Sequence, residues 1–127
     1  MHDAPSDEEL LRRIQEGGPE GLAAMLLGAG QRNLAQAIEA LGQQDAAEAA
    51  RTVGRVADIV LELRTQLDLE GGGEVAGNLA AIYDGWVASA FQGLQNRDAG
   101  LLERISAQMG EFRETWEQVV QRRAAGA

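Results

Sequence analysis

Apolar residues recur along this chain at alternating steps of three and four, broken only at short polar or glycine-rich stretches. The cleanest run is Ala46, Ala49, Val53, Val56, Val60, Leu63 and Leu67, a single stripe down one side of a helix. Leu102, Ile105, Met109, Phe112, Trp116 and Val119 repeat it in the last third, and Leu22, Leu26, Leu34, Ile38 and Leu41 in the first. A further helix starts near Glu74 and runs through VAGNLAAIYDGWVASAFQGL. The spacing therefore predicts four long helices.

The joints between them carry recognisable turn chemistry. Pro19 suits the first position of a helix, where its missing N–H is not needed. Gly42 supplies a stop and Asp45 a cap for the helix after it, and Asn96 and Asp98 do the same further on. Connections this short force neighbouring helices to run antiparallel. The expected fold is all-α, an antiparallel up-down-up-down four-helix bundle.

A shorter helical segment precedes the bundle. Ser6 and Glu9 have capping-box spacing, Leu10, Leu11 and Ile14 form a small apolar face, and Gly17 and Gly18 follow as a hinge. The chain thus divides into residues 1–18, a segment and hinge; 19–121, the bundle; and 122–127, a patternless tail expected to fray. Whether the first segment is a fixed element or a detachable lid stays open on spacing alone. Gly21, Gly28 and Gly30 each cost about 1 kcal/mol against alanine, which predicts that the first long helix is the loosest.

Composition narrows the chemistry. The chain has 127 residues, enough for one core, and only 4% are aromatic, so that core rests on Ala, Leu, Val and Ile. Net charge is −9 and every basic side chain is arginine, which disfavours nucleic acid and anionic lipid as partners. There is no cysteine, the single histidine is His2, and lysine is absent, so thiolate, Glu-x-x-His and Schiff-base sites have no parts to work with. The expectation is a non-enzyme without cofactor or metal. The start of the chain has no apolar signal core, and no run approaches the roughly 20 apolar residues of a membrane span, so a cytoplasmic location is expected.

Two features remain. The stretch LDLEGGGEVAGNL places three glycines between helices, but it lacks the Gly-Lys-Ser/Thr ending of a P-loop and has acidic neighbours in Asp68, Glu70 and Glu74. Its glycines are expected to turn the chain. The second and third helices carry more apolar surface than one stripe needs: Ile59 and Leu61 flank the second stripe, while the third has Val75, Leu79, Ile82 and Trp86 beside Ala76, Ala80, Tyr83, Val87, Ala90 and Leu94. A wide core face explains this, and so does an external groove for a partner's amphipathic helix. An exposed groove invites aggregation unless covered, and Leu10, Leu11 and Ile14 are the natural cover. The expected partner-binding residues are Ile59, Leu61, Val75, Leu79, Tyr83 and Val87.

These residues also carry a family resemblance. ADIVLELRTQLDLEGGGEVAGNLAAIYD and RDAGLLERISAQMGEFRETWEQ, with PEGLAAMLLGAGQRNLAQAIEAL before them, resemble the flagellin export chaperones of the FliS family. The likeness spans about Pro19 to Val120, and its specific part is Asp58 to Asp84. It departs at Leu27 and Gly28, where the family usually has Tyr-Asp, at Gly85-Trp86, and in lacking a tyrosine motif before the first long helix. The resemblance implies a chaperone that binds the disordered C-terminal segment of flagellin in the cytoplasm, prevents premature polymerisation and supports type III export. Other flagellar proteins are further possible partners. A structural adaptor or co-chaperone of the same fold that never holds flagellin is the alternative.

Overall fold

The computed structural model describes the backbone of residues 7–126 and the side chains of Glu8 and of residues 18–126. Four helices make it up: α1 (Asp7–Gly42), α2 (Ala46–Thr65), α3 (Gly73–Asn96) and α4 (Ala99–Gly126). No strand occurs among the described residues. Each helix packs against its neighbours in sequence, and α4 returns to α1, closing a four-sided bundle.

Local chemistry sets the boundaries. Within α1 the helix breaks at Gly18, whose φ of 64° and ψ of −160° suit a residue without a Cβ. Pro19 then opens the long section that joins the bundle. The Asp45 carboxylate accepts the Glu48 N–H at 3.1 Å, capping α2, and Asp98 does the same for Leu101 at 3.1 Å. Between α2 and α3, Asp68 accepts the Gly71 N–H on its side chain at 2.8 Å and the Gly72 N–H on its carbonyl at 2.7 Å. A Cβ at Gly72 would collide with that carbonyl, and Gly73 has a φ of 62°. The glycine run is a turn.

Leu27, Leu34, Val53, Val56, Leu102 and Met109 form the centre of the core, all fully buried. Trp86 joins them, edge-on to Phe112 with ring centroids 5.2 Å apart. Its indole N–H donates to the Gln108 side chain on α4 at 2.7 Å.

Two expectations change. The first long helix is not the loosest, because its glycines are seats for α4. A Cβ at Gly30 would lie 2.9 Å from the Met109 sulfur, Gly28 faces Arg113, and Gln31 crosses to donate to the Ser106 carbonyl at 3.1 Å. Close approach outweighs the propensity cost. The residues after Gln121 are helical rather than irregular. The helix continues to Gly126, and Arg123 forks onto the Glu20 carboxylate at 2.5 and 2.7 Å, tying the end of α4 to the start of the long section of α1.

Candidate partner-binding face

Of the four helices, α3 is the least closely held by the rest. Its inward contacts are made largely by Ala76, Ala80 and Ala90, with Tyr83 and Trp86 as the only large buried side chains. Small residues also occupy its outward side, where Gly77, Ala81, Gly85 and Ala88 are exposed. From Val75 to Asn96 the one charged residue is Asp84, and its carboxylate is taken by Arg64 of α2 at 2.8 Å. In a chain of net charge −9, the outer surface of α3 beyond Glu74 in its first turn is thus almost free of net charge.

Large apolar side chains border this low ridge on both flanks. Toward α4, the side marked by the Trp86–Gln108 hydrogen bond, stand Ile82, 38% exposed, and Val75, 69% exposed. Toward α2, the side marked by the Arg64–Asp84 pair, stand Phe91, 44% exposed, and Leu61 of α2, 49% exposed. The spacing explains the assignment, since residues three, four or seven apart share a helix face. The two flanks differ in charge. Asp58 and Glu62 stand beside Leu61, whereas the neighbours of Ile82 along α3 are Asn78 and Ser89.

A cavity of about 130 Å³ lies at the end of the bundle where the long section of α1 starts and α4 finishes. Ala23, Leu63, Leu67, Leu79, Tyr83 and Trp116 line it, together with Pro19, Glu20 and Gln66. The Trp116 indole nitrogen is buried without a hydrogen-bond partner among the described residues. Burial pushes the Tyr83 phenol pKa up, so this side chain stays neutral well into the alkaline range.

The residues expected from spacing do not form one patch. Leu61 and Val75 are exposed, as an external face requires. Leu79 is half-buried and, with Tyr83, lines the cavity. Tyr83 is only 2% exposed, packed 5.4 Å from Trp86, so it belongs to the core and meets solvent space only through that cavity. Val87 is half-buried against the core. Ile59 is also half-buried, but it points toward α1, its Cγ2 lying 3.8 Å from where a Gly30 Cβ would be. That is about 200° round α2 from Leu61, so the two cannot share a groove. The side chains of Leu10, Leu11 and Ile14 lie outside the described residues. Ile82 and Phe91 complete the face although neither was among the expected set.

Among the described residues no group of His, Cys, Asp or Glu is placed to hold a metal ion. No described helix is long and apolar enough to cross a membrane.

Comparison with known proteins adds the family context. The profile of the family described as "Flagellar protein FliS" matches residues 2–123. The chain is 31% identical over 105 residues to the flagellar secretion chaperone FliSB of Pseudomonas aeruginosa, with 83% of each chain covered. It is 26% identical over 107 residues to the flagellar secretion chaperone FliS of Vibrio cholerae, covering 84% of this chain and 79% of that one. With the FliS chaperone of Salmonella typhimurium it shares 33% identity over 57 residues, covering 45% of this chain and 42% of that one.

Proposed function

The chain belongs to the FliS family of flagellar proteins, and from that premise we propose that it is a flagellar secretion chaperone whose α3 face holds the disordered C-terminal segment of flagellin. The observation that carries the reading is the outer side of α3, which beyond Glu74 bears only the paired Asp84 and is flanked by Ile82 and Val75 on one side and by Phe91 and Leu61 on the other. An amphipathic segment that is disordered alone gains a helix and a covered apolar face by docking there.

The energetics suit holding and release. Each square ångström of apolar surface covered contributes roughly 25 cal/mol. Ordering the segment costs about 2–5 kcal/mol or more, so only the surplus appears as affinity. The small outward side chains of α3 let a docked helix approach closely, since interaxial distance is set by the side chains at the contact. A flagellin tail occupied in this way cannot pack into a filament, which keeps the subunit unpolymerised in the cytoplasm until type III export. Binding and release by this route need no nucleotide and no catalytic group.

Calorimetric titration with a peptide of the flagellin C-terminal segment tests the reading. The wild-type protein binds it, and the double variant Ile82→Asp, Phe91→Asp binds at least about 100-fold more weakly, because two apolar contacts become charged. Circular dichroism of the variant stays that of a helical bundle. Equal affinity for both proteins, or none for the wild type, would remove this reading.

A further inference from the structure

The cavity at the Gly18 end of the bundle is open space that the core does not use. Four helices supply its walls, yet Leu63, Leu67, Leu79 and Trp116 leave about 130 Å³ between them. The space is a cleft half open to solvent, so its apolar walls are partly uncovered. A dry cavity of about 150 Å³ lined by Leu, Ile and Phe admits benzene, so this one matches a leucine or phenylalanine side chain in size. The lining is mostly apolar, with Glu20, Gln66 and the Tyr83 hydroxyl as its polar groups.

Charge says more about the occupant. Glu20 is the one carboxylate at the cavity among the described residues, and the Arg123 guanidinium forks onto both its oxygens at 2.5 and 2.7 Å. With that charge neutralised, the cavity offers nothing to a cationic group. The large apolar walls of Leu63, Leu67 and Leu79 favour an apolar group instead.

The cavity is also continuous with the α3 face. Leu79 lines it, and Leu79 lies four residues after Val75 and three before Ile82, between the two apolar groups on the α4 flank. A segment seated along Val75 and Ile82 passes the mouth of the cavity. We propose that this cavity is the anchor pocket of the bound segment: it takes one uncharged Leu- or Phe-sized side chain. The inference rests on the reading that α3 holds a flagellin tail, and it adds a register. One apolar residue of the tail is fixed at the end of the bundle, and the rest is laid along α3 from that point.

The test fills the pocket from inside. Ala23→Leu and, separately, Leu67→Phe enlarge wall residues. Each variant and the wild type are titrated with the flagellin C-terminal peptide and with single-alanine versions of it. Thermal melts followed by circular dichroism show which variants fold. Filling weakens binding about 10- to 100-fold, the loss of one buried apolar side chain. One apolar peptide position is costly to truncate against the wild type and costs nothing against the filled variants, the signature of direct coupling.

If the wild type binds while folded filled variants bind equally well, with no coupled position, the anchor is overturned and the α3 reading stands. No binding by the wild type overturns both. Tighter binding by the filled variants would mean that the chain's own first residues occupy the pocket, and a dimer dissociated by filling would mean that a second copy does. Either result overturns the proposal.

Discussion

Helices α1 and α3 are both rich in glycine and alanine, and they use those residues in opposite directions. On α1 the glycines face inward, where Gly30 sits under Met109 and Gly28 beside Arg113, so α4 approaches more closely than larger side chains would allow. On α3, Gly77 and Gly85 face outward, with nothing within 4 Å of where a Cβ would be. One helix spends its small residues on its own fold and the other leaves them facing solvent. The lesson concerns orientation: helix propensity counts both sets equally, and only the side they face separates packing from a waiting surface.

The largest effect should come from the tightly packed side. Leu34 is fully buried on α1, so Leu34→Ala is expected to cost about 2–5 kcal/mol in urea denaturation, by lost transfer energy and a residual cavity. Next comes the α1–α4 contact itself. Gly30→Leu pushes into the buried Met109 and should cost about 1–3 kcal/mol. Stabilisation by this variant would show that the interface has slack and that α1 behaves as its propensity suggests.

A smaller effect is confined to alkaline pH. The chain has one tyrosine, no lysine and no cysteine, so between about pH 9 and 12 Tyr83 is the only side chain expected to titrate. Burial raises the phenol pKa in the folded protein, whereas the unfolded chain ionises near about pH 10. The folded state then holds the proton more tightly, so stability is constant below that pH and falls as pH rises above it. Urea midpoints across this range should decline for the wild type and stay level for Tyr83→Phe. The smallest effect belongs to the outward side of α3: Ile82→Ser and Phe91→Ser should each move stability by no more than about 0.5 kcal/mol. A loss above about 2 kcal/mol at either position would erase the contrast between the two helices and make the α3 face part of the core.

Much of the fold was legible because its determinants are local and periodic. The stripe Ala49, Val53, Val56, Val60 and Leu63 is the buried side of α2, and Asp45 and Asp98 cap the helices they precede. What escaped depends on neighbours. A three-and-four count cannot tell whether Gly30 is a weak spot or a seat for Met109, because that is decided by a residue 79 positions later. The same holds for the pairing of Arg123 with Glu20, which no pattern in the last residues announces.

The face was read in part. Surplus apolar surface on α2 and α3 was visible, and Leu61 and Val75 are where that surplus reaches solvent. Tyr83 and Ile59 were placed on it because a stripe gives direction only relative to its own helix, and the side that α1 or α4 covers is fixed by the assembled bundle. Phe91 was passed over for the same reason: it stands next to the buried Ala90, and only the Arg64–Asp84 pair shows which way that side of α3 looks.

The Arg123–Glu20 pair has an engineering consequence. It brings the end of the fourth helix against the beginning of the long section of the first, so a linker of a few residues can join them. A rearranged chain that opens at the exposed glycines 71–73 and runs on through that join keeps α2, α3, α4 and the long section of α1, and gives up the residues before Pro19. Such a circular permutant frees both new ends at the rim where α3 begins, close to Val75, and a tail fused there starts its path beside the surface that it is meant to occupy.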